Sequence, residues 1–185
     1  MIRLRHIPNI ITILRILLVG PIVWALLEER YPLAIGLFLV AGVSDAVDGF
    51  LAKQFNWSSR LGGILDALAD KFLLVSTFLA LWWLGMFPGW FVFLILARDI
   101  VIVSGGIAYR TRVGMFDPAP TLISKLNTFL QILLAALGVL HLGIMPLPAW
   151  VFQLLIWSVV VTVLLSGVGY VLEWSRRAAH GGRSA

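Results

Sequence analysis

The chain has 185 residues, 61% of them apolar and 12% charged, with a formal net charge of +5 and a mean hydropathy of +1.00. That leaves too little polar surface to cover a soluble core, so the composition excludes an ordinary soluble domain and points to an integral membrane protein. With no cysteine, disulfides, cysteine-type zinc sites and a thiol nucleophile are excluded as well. In so apolar a chain the basic balance reads as contact with lipid headgroups and as a topology signal, not as a nucleic-acid surface.

Arg3 and Arg5 precede an apolar stretch that continues to about Leu27. It is long enough to cross a bilayer and shows no convincing small-residue cleavage pattern, so it reads as a first span, not a removed signal peptide. Six spans of roughly 20 residues follow in order: Ile10–Leu27, Leu33–Ala52, Gly63–Leu84, Trp90–Tyr109, Leu122–Leu142 and Pro148–Leu172. Three breaks carry turn chemistry, at residues 28–32, 85–89 and 143–148, and two more polar connections cover residues 54–60 and 110–120. Pro21 falls inside the first span and is expected to kink it.

Threading the chain six times puts ten cations on one side: Arg3, Arg5, Lys53, Arg60, Arg110, Arg112, Lys125, Arg176, Arg177 and Arg183. Only Arg30 falls on the other side, while Arg15, Lys71 and Arg98 lie within spans. By the positive-inside rule both termini are then cytoplasmic. Trp82, Trp83, Trp90 and Trp150 cluster at the outer ends, as an aromatic belt does. The expected fold is an all-α bundle of six transmembrane helices formed by residues 1–175, followed by a basic cytoplasmic tail at 176–185.

Of nine acidic residues, Asp45, Asp48, Asp66, Asp70 and Asp99 fall inside spans. Each charge near the bilayer centre costs at least about 2.5–3.5 kcal/mol on insertion scales, so the first four, crowded into residues 45–70, need a compensating reason. All four lie towards the cytoplasmic ends of the second and third spans. Asp45 and Asp48 are three apart, and Asp66 and Asp70 four apart, so each pair shares a helix face. Gly49, Ala52 and Gly62 extend those faces with small side chains that let a ligand or a backbone come close. Four converging carboxylates fit oxygen-ligated divalent ions, as in a two-metal phosphoryl-transfer site. Spacing alone is equally compatible with a proton or cation pathway, including a coupled transporter, or with acids paired to Arg15, Lys71 and Arg98.

The ordered stretch Asp45-Ala46-Val47-Asp48-Gly49-Phe50-Leu51-Ala52-Lys53, eight residues, Gly62, three residues, Asp66, three residues, Asp70 resembles the signature of the CDP-alcohol phosphatidyltransferases. Every spacing matches, and Lys53 alone departs, where the family has arginine. The opening Ile7-Pro8-Asn9-Ile10-Ile11-Thr12-Ile13-Leu14-Arg15 is similar to that of members making phosphatidylglycerol phosphate or cardiolipin. The segments 97–101, 109–112 and 123–131 look most like those of CMP-forming cardiolipin synthases.

The resemblance implies a six-helix, usually dimeric membrane enzyme that uses CDP-diacylglycerol and two divalent ions, Mg²⁺ or Mn²⁺. It implies Asp45, Asp48, Asp66 and Asp70 as metal ligands, with Asp70 also the general base on the acceptor hydroxyl. Gly49, Ala52 and Gly62 would make room for the nucleotide, and Lys53 would face the diphosphate without arginine's two-pronged fork. The acceptor would be glycerol 3-phosphate or phosphatidylglycerol, and the active site would lie on the cytoplasmic side of a bacterial inner membrane. Arg15, Arg98 and Lys125 are candidates for the acceptor or lipid phosphate, or else balance acids. Asp99 is expected to pair with Arg15 or Lys71. Ser124, Asn127 and Thr128 either line the acceptor pocket or hydrogen-bond between helices. His6, His141 and His180 show no ligand spacing.

Overall fold

A computed structural model describes residues 7–55, 60–113 and 122–181. It contains six helices: α1 (Ile7–Leu27), α2 (Tyr31–Gln54), α3 (Arg60–Trp83), α4 (Gly89–Val113), α5 (Leu122–Gly143) and α6 (Ala149–Gly181). No strand occurs among the described residues. Each helix corresponds to one expected span, α3 ending one residue short of it and α6 starting one residue late, and α6 runs on through Gly181, so residues 176–181 of the expected tail are helical.

The helix ends follow from local chemistry. After α1, the Arg30 amide donates to the Ala25 carbonyl at 2.8 Å and the Glu29 amide to that of Leu26 at 3.1 Å. After α3, Met86 N donates to Leu81 O and Gly85 N to Trp82 O, both at 2.9 Å. Both pairs form the Schellman pattern, which satisfies orphan carbonyls and needs a left-handed residue just past the helix. Gly85 fills that position at φ 74°, whereas Glu29 adopts φ 55° despite its Cβ. Before α4 and α6, Pro88 and Pro148 start the helix: their carbonyls accept from Phe91 N at 3.1 Å and Val151 N at 3.0 Å.

The chain divides into two compact units, residues 1–87 with 135–147, and residues 88–134 with 148–185. In the first, α1 packs on both α2 and α3. Val19, Ile22 and Leu26 of α1 meet a core that includes Ala34, Ile35 and Ala41 of α2 and Ala69, Leu73, Phe78 and Leu81 of α3. Fully buried alanines at 25, 34, 41 and 69 let the helices approach closely. In the second unit α4 packs on α6, with Phe91, Val92 and Ile95 among the buried residues of α4, and Val159 and Val163 among those of α6.

Large apolar side chains also cover the outside, including Leu17, Leu39, Phe50, Ile100, Leu154 and Trp157. Such a surface suits lipid, not water. Ile10–Leu27, Leu122–Gly143 and Ala149–Gly169 are long and apolar enough to cross a membrane by length and composition alone. The other three helices carry the acids of the expected spans: Asp45 and Asp48 on α2, Asp66 and Asp70 on α3, and Asp99 on α4.

Candidate active site

The stripe of α1 that faces its neighbours reads Thr12, Arg15, Val19, Ile22, Leu26, alternating steps of three and four. Arg15 occupies a core position in that stripe and is fully buried. Asp45 follows the buried Ala41 by four residues on α2, and Asp66 and Asp70 continue the α3 stripe that holds Leu73 and Thr77. The buried faces of three helices therefore bring one arginine and three aspartates to one place.

The convergence is to a single atom. Arg15 Nη1 lies 2.8 Å from Asp45 Oδ1, 2.9 Å from Asp66 Oδ1 and 2.7 Å from Asp70 Oδ1. One oxygen from each carboxylate lies within 4.8 Å of the others. A planar guanidinium is best matched by a two-pronged contact with one carboxylate, whereas three oxygens aimed at one point form the donor arrangement of a monatomic cation. Within this group of four side chains three negative charges face one positive charge, leaving two over. The acids are 40–44% exposed while the arginine is 0% exposed, so the carboxylates are accessible to ligand and the guanidinium is not.

Oxygen-only donors and surplus negative charge fit a divalent ion such as Mg²⁺, Mn²⁺ or Ca²⁺. Asp45, Asp66 and Asp70 are the residues that would hold it. Asp48 is three residues on from Asp45 in α2, but its side chain, like those of Ala52 and Lys53, lies outside the described residues. Gly49 is partly exposed, and a methyl group there would meet no atom of the described residues within 4 Å. Gly62 is partly exposed one turn before Asp66.

Arg98 and Lys125 belong to the second unit. Arg98 is buried there and donates to Asp99 Oδ1 at 2.8 Å, Ser124 Oγ at 2.8 Å and Ser166 Oγ at 3.2 Å, which links α4, α5 and α6. Asp99 thus has a partner in its own neighbour, Arg98, which spacing did not suggest. Lys125 is exposed. Asn127 accepts from Thr162 Oγ1 at 3.0 Å and Ser124 accepts from Arg98, so both hydrogen-bond between helices. Thr128 Oγ1 returns to the Ser124 carbonyl of its own helix at 3.2 Å.

Sequence reasoning missed Thr162 and Ser166. The signal was present: Ser158, Thr162 and Ser166 repeat every four residues through an otherwise apolar span. His141, given no role from the sequence, accepts the Leu147 amide on Nδ1 at 2.8 Å and so ties down the turn after α5.

The model of the CDP-alcohol phosphatidyltransferase family matches residues 5–165. A CMP-forming cardiolipin synthase of Rattus norvegicus is 34% identical over 146 residues, covering 70% of this chain and 48% of the rat protein. The chain thus spans about half the length of that relative. A CDP-diacylglycerol–glycerol-3-phosphate 3-phosphatidyltransferase of Aquifex aeolicus is 33% identical over 174 residues, covering 91% of this chain and 95% of the relative. A CMP-forming cardiolipin synthase of Streptomyces coelicolor is 34% identical over 134 residues, covering 69% of this chain and 61% of the relative. The chain belongs to the CDP-alcohol phosphatidyltransferase family.

Proposed function

We propose that this protein transfers a phosphatidyl group from CDP-diacylglycerol to the hydroxyl of a glycerol-based acceptor in membrane phospholipid synthesis. The acceptor is glycerol 3-phosphate, giving phosphatidylglycerol phosphate, or phosphatidylglycerol, giving cardiolipin. The observation that carries this reading is the convergence of Asp45, Asp66 and Asp70 on one point, within the family's ordered signature.

Two bound divalent ions, Mg²⁺ or Mn²⁺, would supply charge neutralisation on the diphosphate and on the departing CMP. Asp45, Asp48, Asp66 and Asp70 are assigned as their ligands. Gly49, Ala52 and Gly62 leave room for the nucleotide, and Lys53 contributes a positive charge towards the diphosphate. The acceptor oxygen forms a bond to the phosphorus that carries diacylglycerol. The bond from that phosphorus to the bridging diphosphate oxygen breaks, and CMP leaves with the electron pair. Asp70 takes the hydroxyl proton, since one of its oxygens faces the carboxylate focus from a half-exposed side chain. Arg98 and Lys125 are proposed to receive the acceptor or lipid phosphate, and Arg15 to act beside the acids.

In this reading residues 1–175 form one catalytic domain of six spans with both ends cytoplasmic, and residues 176–185 are a basic cytoplasmic tail. The ten-to-one division of cations supports that orientation. The protein works as a homodimer in a bacterial inner membrane, with its site open to the cytoplasm. Incubating the purified protein with CDP-diacylglycerol and each acceptor in turn, then identifying the lipid product by mass, decides the acceptor. Formation of neither product overturns the reading.

A further inference from the structure

We propose that Arg15 is the built-in counter-cation of the aspartate site: its guanidinium holds the three carboxylates together and leaves their common focus when a divalent ion binds there. The inference rests on the metal-dependent reading above. It also goes beyond it, because it makes one residue of α1 the competitor that sets metal affinity.

Three observations lead to it. First, Nη1 of Arg15 is 2.7–2.9 Å from one oxygen each of Asp45, Asp66 and Asp70, so it stands where those oxygens would hold a cation. Two cations do not share one focus, and close like charges repel strongly away from bulk water. Second, a single Nη1 has two hydrogens for three acceptors. Both go to hydrogen bonds with Asp66 and Asp70, which leaves the Asp45 oxygen at 2.8 Å as a third acceptor with no hydrogen from that nitrogen, whereas a divalent ion at the same point attracts all three oxygens alike. Third, Arg15 lies on the buried stripe of α1 and is itself fully buried, so its charge has to be compensated locally. Without it the three carboxylates would repel one another across less than 4.8 Å.

Arg15 is thus a positioning residue. It keeps the ligand oxygens preassembled, and on displacement its long side chain remains beside them as a cation for an incoming phosphate. A scaffold role alone predicts that losing Arg15 loosens the site and weakens metal binding. The counter-cation role predicts the reverse.

The test is Mn²⁺ affinity of the full-length protein in detergent, by calorimetry or by the electron paramagnetic resonance signal of free Mn²⁺. Arg15→Gln is expected to bind Mn²⁺ at least about tenfold more tightly than wild type, equivalent to 1.4 kcal/mol, while melting at a lower temperature in chelator. Arg15→Lys keeps the charge and is expected to stay within about threefold of wild type. Unchanged or weaker binding by Arg15→Gln overturns the proposal, as does equal tightening by Arg15→Lys. Should Arg15→Gln fail to fold, the wild-type protein with ¹⁵N-labelled guanidinium groups provides the second reading. Mg²⁺ addition is expected to move the Arg15 resonances and leave those of Arg30 in place. Arg15 resonances that stay fixed at saturating Mg²⁺ overturn the proposal. If wild type binds neither ion, the metal reading itself fails, and this inference with it.

Discussion

Arg15 on α1 and Asp70 on α3 meet at 2.7 Å, across 55 positions of sequence, and the same arginine nitrogen also touches Asp45 and Asp66. This contact joins α1, α2 and α3 within the first unit, at the acids proposed above as the metal site. A buried cation here offsets only part of the charge of three half-exposed acids, and the carboxylates stay open to ligand.

The acids are expected to differ in what their loss does. Asp45→Asn and Asp66→Asn remove proposed metal ligands and are expected to weaken Mn²⁺ binding and abolish CMP release together. Asp70→Asn also removes the proposed base and is expected to lower kcat by about 10²–10⁴-fold, even at metal concentrations that restore binding. Steady-state rates at saturating Mn²⁺ check this, and full activity in Asp70→Asn would exclude it as the base.

Lys53 is the one departure from the signature. Arginine there restores a planar fork for the diphosphate, so Lys53→Arg is expected to lower KM for CDP-diacylglycerol or leave it unchanged, with turnover retained. Lys53→Ala is expected to raise KM at least about tenfold, the scale of one lost charge-assisted bond. A loss of turnover in Lys53→Arg would show a pocket built around lysine.

Gly143 closes α5 against the start of α2. A Cβ at that position would lie 2.6 Å from Tyr31 Cβ and 2.9 Å from Ile35 Cδ1. Gly143→Ala is therefore expected to destabilise the first unit by about 1–3 kcal/mol, read as a lower melting temperature in detergent. Gly138→Ala meets the ends of Leu81 and Phe87 at 3.2 Å and is expected to cost less.

Glu29 holds a left-handed backbone that glycine adopts without penalty. Glu29→Gly is expected to raise stability by roughly 0.5–1 kcal/mol without altering catalysis. Thermal unfolding of the two proteins side by side checks the sign.

The sequence makes the helices plain because their breaks carry strong local chemistry. Gly85, Pro88 and Pro148 mark ends that depend only on φ preferences and missing donors, and those ends lie where expected. Glu29 was invisible by the same logic, since its turn is imposed by the two carbonyls it helps satisfy and not by its own preference. The convergence of Asp45, Asp66 and Asp70 was readable because acids are costly in lipid and their spacing fixes a face. Which cation meets them was not, because spacing within α2 and α3 says nothing of the rotation of α1. Once α1 packs by its stripe of Thr12, Val19, Ile22 and Leu26, Arg15 has no other direction to face. Likewise Ser166 joins Arg98 only through the packing of α4 on α6, a relationship between distant segments.

The most direct test of the central claim is release of CMP from CDP-diacylglycerol by the purified protein, measured with Mg²⁺, with Mn²⁺ and with chelator, in the presence of each glycerol-based acceptor. The expected result is release that requires both metal and acceptor and is lost in Asp66→Asn. Release that persists in chelator, or no metal-dependent release with any acceptor, would contradict the account.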